Sequence, residues 1–370
     1  MIKNKNIEKK PKIALVCYTL SVGGLGRVVS NASFMFSEMG FEVDIHVLRS
    51  EADYPFEGHL HQYNIDKHSR FGKIRQYLKL KKSIKENHYD LIIDHRYRLN
   101  PVLEFFVQRF AYAKQKVINN IHSSFIQKYL FSNTIINQFI FKKRIFICVS
   151  KGIEKKVNSK FPKLKTKTIY NIVSFEDYDY QEITENNFIL TITRMDESNV
   201  KQIDVLLECF AKSELPEKAY KLIIIGSGIR KEQMENLAVK LKISDKVVFK
   251  GFLTNPYSYL RQADFTVLTS KHEGLPTLLI ESLMSGIPVV SFDCETGPNE
   301  IIINEENGLL VENQNKEAFV KAINRMIDDK NLYQKLKFAA KKSAEKFSKT
   351  EIKKEWERFV GELEVSEFEG

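Results

Sequence analysis

Ten short runs of β-branched and aliphatic residues recur along this chain, and longer stretches with helical patterning separate them. In the first half the runs are KIALVCY (12–18), FEVDIHVL (41–48), LIID (91–94), KVINNI (116–121) and RIFICVS (144–150). In the second they are FILTIT (188–193), YKLIIIG (220–226), KVVFKG (246–251), DFTVLT (264–269) and IPVVSF (287–292). Strands joined through helices pair in parallel, and a parallel sheet needs helices over both faces. Two consecutive sets therefore predict an α/β chain of two Rossmann-like domains facing each other across a cleft. A length of 370 residues agrees, since single cores rarely grow that large. The expected division is a first domain over 1–173, a polar linker over 174–187 (SFEDYDYQEITENN) and a second domain over 188–348. A terminal helix over 349–370 is expected to pack back across the junction. In doubly wound sheets, ligands sit beyond the carboxyl ends of strands, so motifs that follow strands are the ones to read for chemistry.

The strongest such motif follows DFTVLTS and reads KHEGLPTLLIESLMSGIPVV. Glu273 falls in the loop, Gly274 permits unusual backbone angles, and Pro276 suits the first helical position. Thr277 to Ser285 read as a helix that ends before Gly286 and Pro288. Such a helix start offers free N–H groups and a positive dipole end, which suit a diphosphate. Glu281 lies a turn or more further along. Two carboxylates so spaced match the hydroxyls at the two ends of a sugar nucleotide, with hexose at one end and ribose at the other.

This segment resembles the signature of glycosyltransferase family 4, a family of retaining enzymes with the GT-B fold. The resemblance continues through KLIIIGSG followed by Arg230, DKVVFKGFL and ADFTVLTSKHEGLP, all in typical order and spacing. It implies that Glu273 contacts the transferred hexose and Glu281 holds the ribose. It implies further that the backbone of Gly274, Leu275 and Pro276 lies along the hexose and that of Thr277 and Leu278 along the phosphate. Gly226, Arg230 and Phe252 complete the implied donor side. An Arg and a Lys after the first strand of the second domain, here Arg194 and Lys201, would neutralise the leaving diphosphate. The chain departs from the commonest pattern in three places: Thr193 stands for Gly, the Arg-to-Lys gap is longer, and Gln202 occupies a position where Gly is frequent. In the first half, the resemblance places Gly23, Gly24 and Gly26 as an acceptor or phosphate loop lining the cleft opposite the donor. His122 stands where the family commonly has a histidine facing the hexose, and His95 where acceptor contacts arise. Glu300, in GPNE, is read as donor-side support.

The reaction so implied moves a hexose-type sugar, with retention, from a nucleotide-diphosphate donor. UDP is the family's commonest nucleotide. The implied acceptor is a glycan or lipid-linked glycan in cell-surface polysaccharide, lipopolysaccharide or glycoconjugate synthesis. A sugar-nucleotide epimerase or phosphorylase on the same scaffold, and a catalytically inactive sugar-nucleotide-binding protein, stay open as alternatives. A dehydrogenase fits poorly, because no dinucleotide fingerprint is present. No DxD triplet, HExxH pair or cysteine cluster occurs, so neither metal nor cofactor is expected. Cys17, Cys148, Cys209 and Cys294 form no CxxC pair and suit a reducing compartment. No run of eighteen apolar residues occurs, and MIKNKNIEKKPK does not read as a secretory signal, so the expected location is cytoplasmic.

Charge is lopsided. Residues 1–180 carry 31 Lys and Arg against 16 Asp and Glu, and the remainder 26 against 31, within a net charge of +10. A basic half suits an anionic partner, and no nucleic-acid-binding module is recognisable. FGKIRQYLKLKKSIKEN (71–87) reads as a helix with Ile74, Tyr77, Leu78 and Ile84 on one face, and with five Lys and one Arg from Lys73 to Lys85. SSFIQKYLFSNTIINQFIFKKR (123–144) is rich in aromatics and ends in KKR. Both suit an anionic membrane surface, where a lipid-linked acceptor would be presented. The second reads also as a core-packing helix. The expectation is reversible, peripheral contact with the inner face of the cytoplasmic membrane.

Overall fold

The computed structural model describes residues 10–21, 23–49, 52–63, 70–113, 115–173 and 181–365, with the side chains at 70–74, 364 and 365 left out. Of the expected linker, residues 174–180 lie outside the described residues. The chain divides into two compact units. The first comprises Met1–Val149, Glu154–Ile169 and Lys353–Gly370; the second comprises Ser150–Ile153 and Tyr170–Ile352.

The first unit is built on seven strands: β1 (Lys12–Cys17), β2 (Glu42–Val47), β3 (His59–Gln62), β4 (Leu91–Asp94), β5 (Val117–Ile121), β6 (Ile145–Cys148) and β7 (Lys165–Thr168). They are ordered β3-β2-β1-β4-β5-β6-β7, and every pair is parallel. The central strands are buried on both faces, which is why β1 and β4 read as unbroken aliphatic runs. Helices α1 (Gly24–Glu38), α2 (Arg70–Asn87), α3 (Pro101–Phe106), α4 (Thr134–Ile140) and α5 (Lys151–Lys160) connect them. A π-helical turn, Val107–Ala111, continues α3.

The second unit has six parallel strands in the order β10-β9-β8-β11-β12-β13. They are β8 (Phe188–Ile192), β9 (Lys221–Ile225), β10 (Val247–Gly251), β11 (Phe265–Leu268), β12 (Val289–Phe292) and β13 (Gly308–Val311). Its helices are α6 (Ile203–Lys212), α7 (Lys231–Lys240), α8 (Tyr257–Gln262), α9 (Thr277–Met284), α10 (Pro298–Ile301), α11 (Lys316–Asp328) and α12 (Lys330–Ser343). In α6, Ile203, Leu206, Leu207 and Phe210 recur at helical spacing and are all buried. The final helix, α13 (Lys349–Val365), starts in the second unit and ends in the first. There Trp356 meets Phe36 of α1 edge-on at 5.2 Å, and Lys167 of β7 pairs with Glu362 at 2.7 Å.

Three differences from the sequence reading have physical causes. β3 (HLHQ) and β7 (KTKT) escape detection because both are polar edge strands with no fully buried residue, so no apolar run marks them. In α2 the inward residues are Leu80 and Ile84, with Tyr77 packed on the same cluster, while Leu78 points to solvent. Segment 123–144 is not one helix. It splits into a short turn at Ile126–Lys128 and α4, separated by a loop.

Candidate active site

Each unit carries expected site residues at the carboxyl ends of its strands. In the second unit, the loop after β8 is laid against the loop after β11. Lys271 N–H donates to the Val200 carbonyl at 2.8 Å, and the Thr269 hydroxyl donates to the Gln202 carbonyl at 3.1 Å. To make this turn, Asn199 and Gln202 adopt left-handed backbone angles, with φ of 50° and 48°. Position 202 is where glycine is frequent in the family pattern, and its φ supplies the reason. The turn delivers Lys201 to Glu273: Nζ lies 2.6 Å from Oε1, with the carboxylate 9% and the lysine 27% exposed. Cys294 lies near them, and its thiol is pushed up to about 12 by burial first and the Glu273 charge second. It therefore stays a neutral thiol.

Two further cations approach Lys201. Arg194, Lys201 and Arg230 line one small cavity together with Met195, Asp196 and Asn199. Arg194 is half exposed and held only loosely, 3.9 Å from Asp196. Arg230 lies 3.5 Å from Asp204 and donates to Gln233 at 2.8 Å. Gly226 allows the loops after β8 and β9 to close: its φ is 134°, and a Cβ there would sit 1.8 Å from the Thr193 carbonyl oxygen. Phe252 follows β10 and is partly exposed.

Helix α9 begins at Thr277, as expected, and ends one residue earlier than expected, at Met284. Pro276 is its N-cap rather than its first residue, and no side chain caps the helix. The first-turn N–H groups of Thr277 and Leu278 have no partner within the helix by geometry. The loop ahead of them is fixed from behind. The Thr296 hydroxyl donates to the Glu273 carbonyl at 2.7 Å. Gly297, at φ 99°, approaches so closely that a Cβ would lie 2.5 Å from Pro276 Cδ. Glu281, the fifth residue of α9, is buried and about 6 Å further along the axis than Thr277. Glu300, expected as donor-side support, is bonded to backbone at the start of α5. Its oxygens accept from the N–H groups of Lys151 and Gly152, both at 2.8 Å, and from the Tyr170 hydroxyl at 3.1 Å. It caps the start of α5.

In the first unit, two of the three loop glycines are structurally required. Gly23 has φ 124°, and a Cβ on Gly26 would lie 2.4 Å from the Ser21 carbonyl oxygen, whereas Gly24 faces open space. His95 and His122 come together at the ends of β4 and β5, with His95 Nδ1 2.9 Å from His122 Nε2 and the rings stacked. His95 is buried behind the partly exposed His122. Burial above all holds its imidazole down to about 4, so it is neutral near pH 7.

Family descriptions match both halves: Glycosyltransferase Family 4 over residues 22–177, and Glycosyl transferases group 1 over residues 175–343. The chain belongs to glycosyltransferase family 4. Among curated relatives of this glycosyltransferase is a Campylobacter jejuni enzyme, 28% identical over 363 residues, covering 92% of this chain and 97% of the relative. It is the N-acetylgalactosamine-N,N'-diacetylbacillosaminyl-diphospho-undecaprenol 4-alpha-N-acetylgalactosaminyltransferase. The amylovoran biosynthesis glycosyltransferase AmsD of Erwinia amylovora is 23% identical, covering 90% of this chain and 95% of its own. A solved sucrose-phosphate synthase from Thermosynechococcus elongatus superposes with a TM-score of 0.78 at 17% identity, over 96% of this chain and 100% of the other. Anabaena HepE, solved with UDP and glucose, gives 0.76 at 16% identity, over 95% of this chain and 100% of the other. The fold is GT-B, with two parallel-sheet α/β domains.

Sequence reading missed a buried ionic network behind the histidine pair of this glycosyltransferase. Asp94 receives Arg96 through Nε at 3.0 Å and Nη2 at 2.7 Å, and Arg96 also reaches Glu104 at 3.3 Å. Arg98 donates to the Asp94 carbonyl at 2.8 Å, and Gln108 links Glu104 to Asn119 at 2.8 and 3.1 Å. All these side chains are buried. The available signal was DHRYR, with charges at alternate positions directly after a strand. On strands β2 and β3, ligand-type atoms of Asp44, His46 and His61 lie within 4.8 Å of one another. Both His46 nitrogens are already engaged by Tyr63 and Tyr89 hydroxyls, at 2.7 and 2.9 Å, and Lys12 sits 3.4 Å from Asp44. A hydrogen-bonded core with its own cation accounts for this group.

Proposed function

We propose that this glycosyltransferase moves a hexose-type sugar from a UDP-sugar, with retention, onto a glycan or lipid-linked acceptor of cell-surface polysaccharide, lipopolysaccharide or glycoconjugate synthesis. The observation that carries the proposal is the Lys201–Glu273 pair beside the uncapped start of α9, with Lys201 lining a small cavity that Arg194 and Arg230 share. A buried carboxylate for sugar hydroxyls, a helix start for phosphate and three cations for a leaving diphosphate are the parts that sugar transfer needs. The lipid-linked acceptor is supported by the diphospho-undecaprenol in the name of the Campylobacter relative, and UDP by its presence in the HepE structure.

In this reading Glu273 orients the hexose, along the backbone of Gly274, Leu275 and Pro276. Thr277 and Leu278 donate N–H groups to the phosphate, and Glu281 holds the ribose. The bond from the anomeric carbon to the phosphate oxygen breaks, and the acceptor oxygen bonds to that carbon on the same face. The departing phosphate oxygen takes the acceptor proton. Arg194, Lys201 and Arg230 meet the negative charge that grows on the diphosphate, a role that requires no divalent ion. His122 stands where the family commonly has a histidine for the hexose, and His95 pairs with it at 2.9 Å. The reaction takes place in the cytoplasm, at the inner face of the membrane that carries the acceptor.

The test is a panel of UDP-, GDP- and ADP-sugars read by thermal stabilisation, followed by transfer assays with lipid-linked acceptors. Glu281→Ala is expected to weaken donor binding and Glu273→Ala mainly to slow transfer. Wild-type turnover in both variants would remove these residues from the site, and donor turnover without any acceptor would favour an epimerase.

A further inference from the structure

The ends of β4 and β5 carry three polar side chains in a row, Asn120, His95 and His122. His95 and Asn120 are buried, at 2% and 4% exposed, whereas His122 is partly exposed. The backbone of His95 is pinned to the neighbouring strand, since its N–H donates to the Val16 carbonyl at 2.8 Å. The backbone of Asn120 is held by Arg98, whose guanidinium donates to the Asn120 carbonyl at 3.4 Å and to the Asp94 carbonyl at 2.8 Å. A ring as enclosed as that of His95 offers no surface to an acceptor, and its bonds go to its two neighbours. Both run through Nδ1, which lies 2.9 Å from His122 Nε2 and 3.3 Å from Asn120 Nδ2. The other nitrogen, Nε2, is buried and has no partner among the described residues.

These contacts decide where the protons sit. A neutral imidazole carries one N–H and one bare nitrogen, and an amide nitrogen only donates. Burial holds His95 down to about 4, so near pH 7 its ring is neutral. Asn120 Nδ2 therefore requires a lone pair on His95 Nδ1, which sends the His95 proton to Nε2. The hydrogen between the two rings then belongs to His122, on Nε2. A neutral His122 bound in this way keeps its lone pair on Nδ1, and towards a hydroxyl that nitrogen only accepts. The opposite tautomer would donate there instead. The two rings lie 26° apart with centroids separated by 5.1 Å, so the same contact also fixes the plane of His122. Which nitrogen of a histidine carries the proton is set by the bond the other ring atom makes, and here a buried neighbour sets it.

We propose that His95 and Asn120 are positioning residues that hold His122 in its Nε2–H tautomer, with Nδ1 left to accept a hydrogen bond from a sugar hydroxyl. The sugar rests on the proposed function, but the tautomer does not. It is read without donor or acceptor, so the two fail separately. The full-length protein, labelled with nitrogen-15 histidine, is examined by long-range proton–nitrogen correlation above neutral pH, and the His122 signals are assigned by their loss in His122→Asn. Wild type should show a protonated Nε2 and a bare Nδ1 on His122. His95→Leu should leave His122 exchanging between both forms. It should also lower the turnover of sugar transfer about 3- to 10-fold, the scale of one net hydrogen bond, with KM for the donor unchanged within about twofold. His95→Asn, whose side-chain oxygen can stand close to the place of Nδ1, should restore the Nε2–H form and most of the lost turnover. Asn120→Leu frees His95 Nδ1 to take a proton and should populate the other form of His122. Should a variant fail to fold by circular dichroism, the wild-type spectrum still decides. A wild-type His122 with its proton on Nδ1, or an even mixture of the two forms, would overturn the inference. So would a folded His95→Leu that loses turnover with the His122 tautomer unchanged, or that changes the tautomer at full turnover.

Discussion

Replacing Lys201 by Met tests the centre of the candidate site most directly. The change keeps an apolar stem of similar length and removes only the charge. What remains is a Glu273 carboxylate 9% exposed, deprived of an ammonium 2.6 Å away. Exposed pairs are worth about 0–1 kcal/mol, and stripping one partner from a fully buried pair costs about 3–5 kcal/mol. Lys201, with about a quarter of its side chain exposed, lies between these limits, so the expected loss is about 2 kcal/mol. For a unit of this size that lowers the melting temperature by roughly 4–8 °C. Glu273→Gln should cost less, about 1 kcal/mol, because the freed ammonium can turn to water while a freed carboxylate cannot. The double variant should be more stable than the sum of the two losses implies, by about 1–2 kcal/mol. Turnover should fall by about 100-fold or more in Lys201→Met, the scale for removing one stabiliser of transition-state charge. The assay is denaturant unfolding followed by far-UV circular dichroism on all four proteins, with initial rates of sugar transfer beside it. Additive losses within 0.5 kcal/mol, together with unchanged turnover, would refute both the ion-pair reasoning and the placement of Lys201 at the leaving group.

Three further outcomes follow from the same geometry. Arg194→Ala should depress turnover by about two orders of magnitude with a smaller change in donor affinity, since the guanidinium is loosely held and free to move onto the diphosphate; transfer should also survive EDTA, and restoration by a divalent ion after chelation would contradict the metal-free reading. Gln202→Gly should stabilise the protein by up to about 1 kcal/mol, measured by the shift in denaturant midpoint, because the native φ of 48° is strained for Gln and free for Gly. Stability should fall as pH drops from about 6.5 towards 4: burial holds His95 down to about 4 and His46 to about 3, so the unfolded chain takes up protons there that the native state refuses. His95 alone contributes on the order of 3 kcal/mol to that slope, and His95→Asn should flatten unfolding curves measured across the range.

The donor-side elements were legible because their chemistry is local. Glu273, Gly274 and the start of α9 lie within a few residues of one another, directly after a strand that announces itself by its aliphatic run. Lys201 was reachable through the family pattern, but its pairing with Glu273 depends on a left-handed turn at Gln202 that propensity alone would not place there. The ionic network of Asp94, Arg96, Arg98 and Glu104 was not legible, since alternating charges look the same on a solvated loop as in a core. Only tertiary packing separates the two cases. The cap that Glu300 provides was not legible for a related reason: the N–H groups of Lys151 and Gly152 are remote in sequence, and a short GPNE turn says nothing of them. The edge strands β3 and β7 show the converse limit, where pairing on one side leaves the side chains too polar for any run to appear.

Trp356 has a consequence for the order in which the molecule is assembled. It closes over Phe36, across almost the whole length of the chain, and it is the only tryptophan. The second unit is encoded almost entirely between these two positions. During synthesis, then, the first sheet emerges early but waits for its last cover, while the second unit can complete its core on the ribosome beforehand. The hydrophobic face of α1 around Phe36 stays open for that interval. Indole fluorescence consequently dates the closure of the first unit and is blind to the folding of the second.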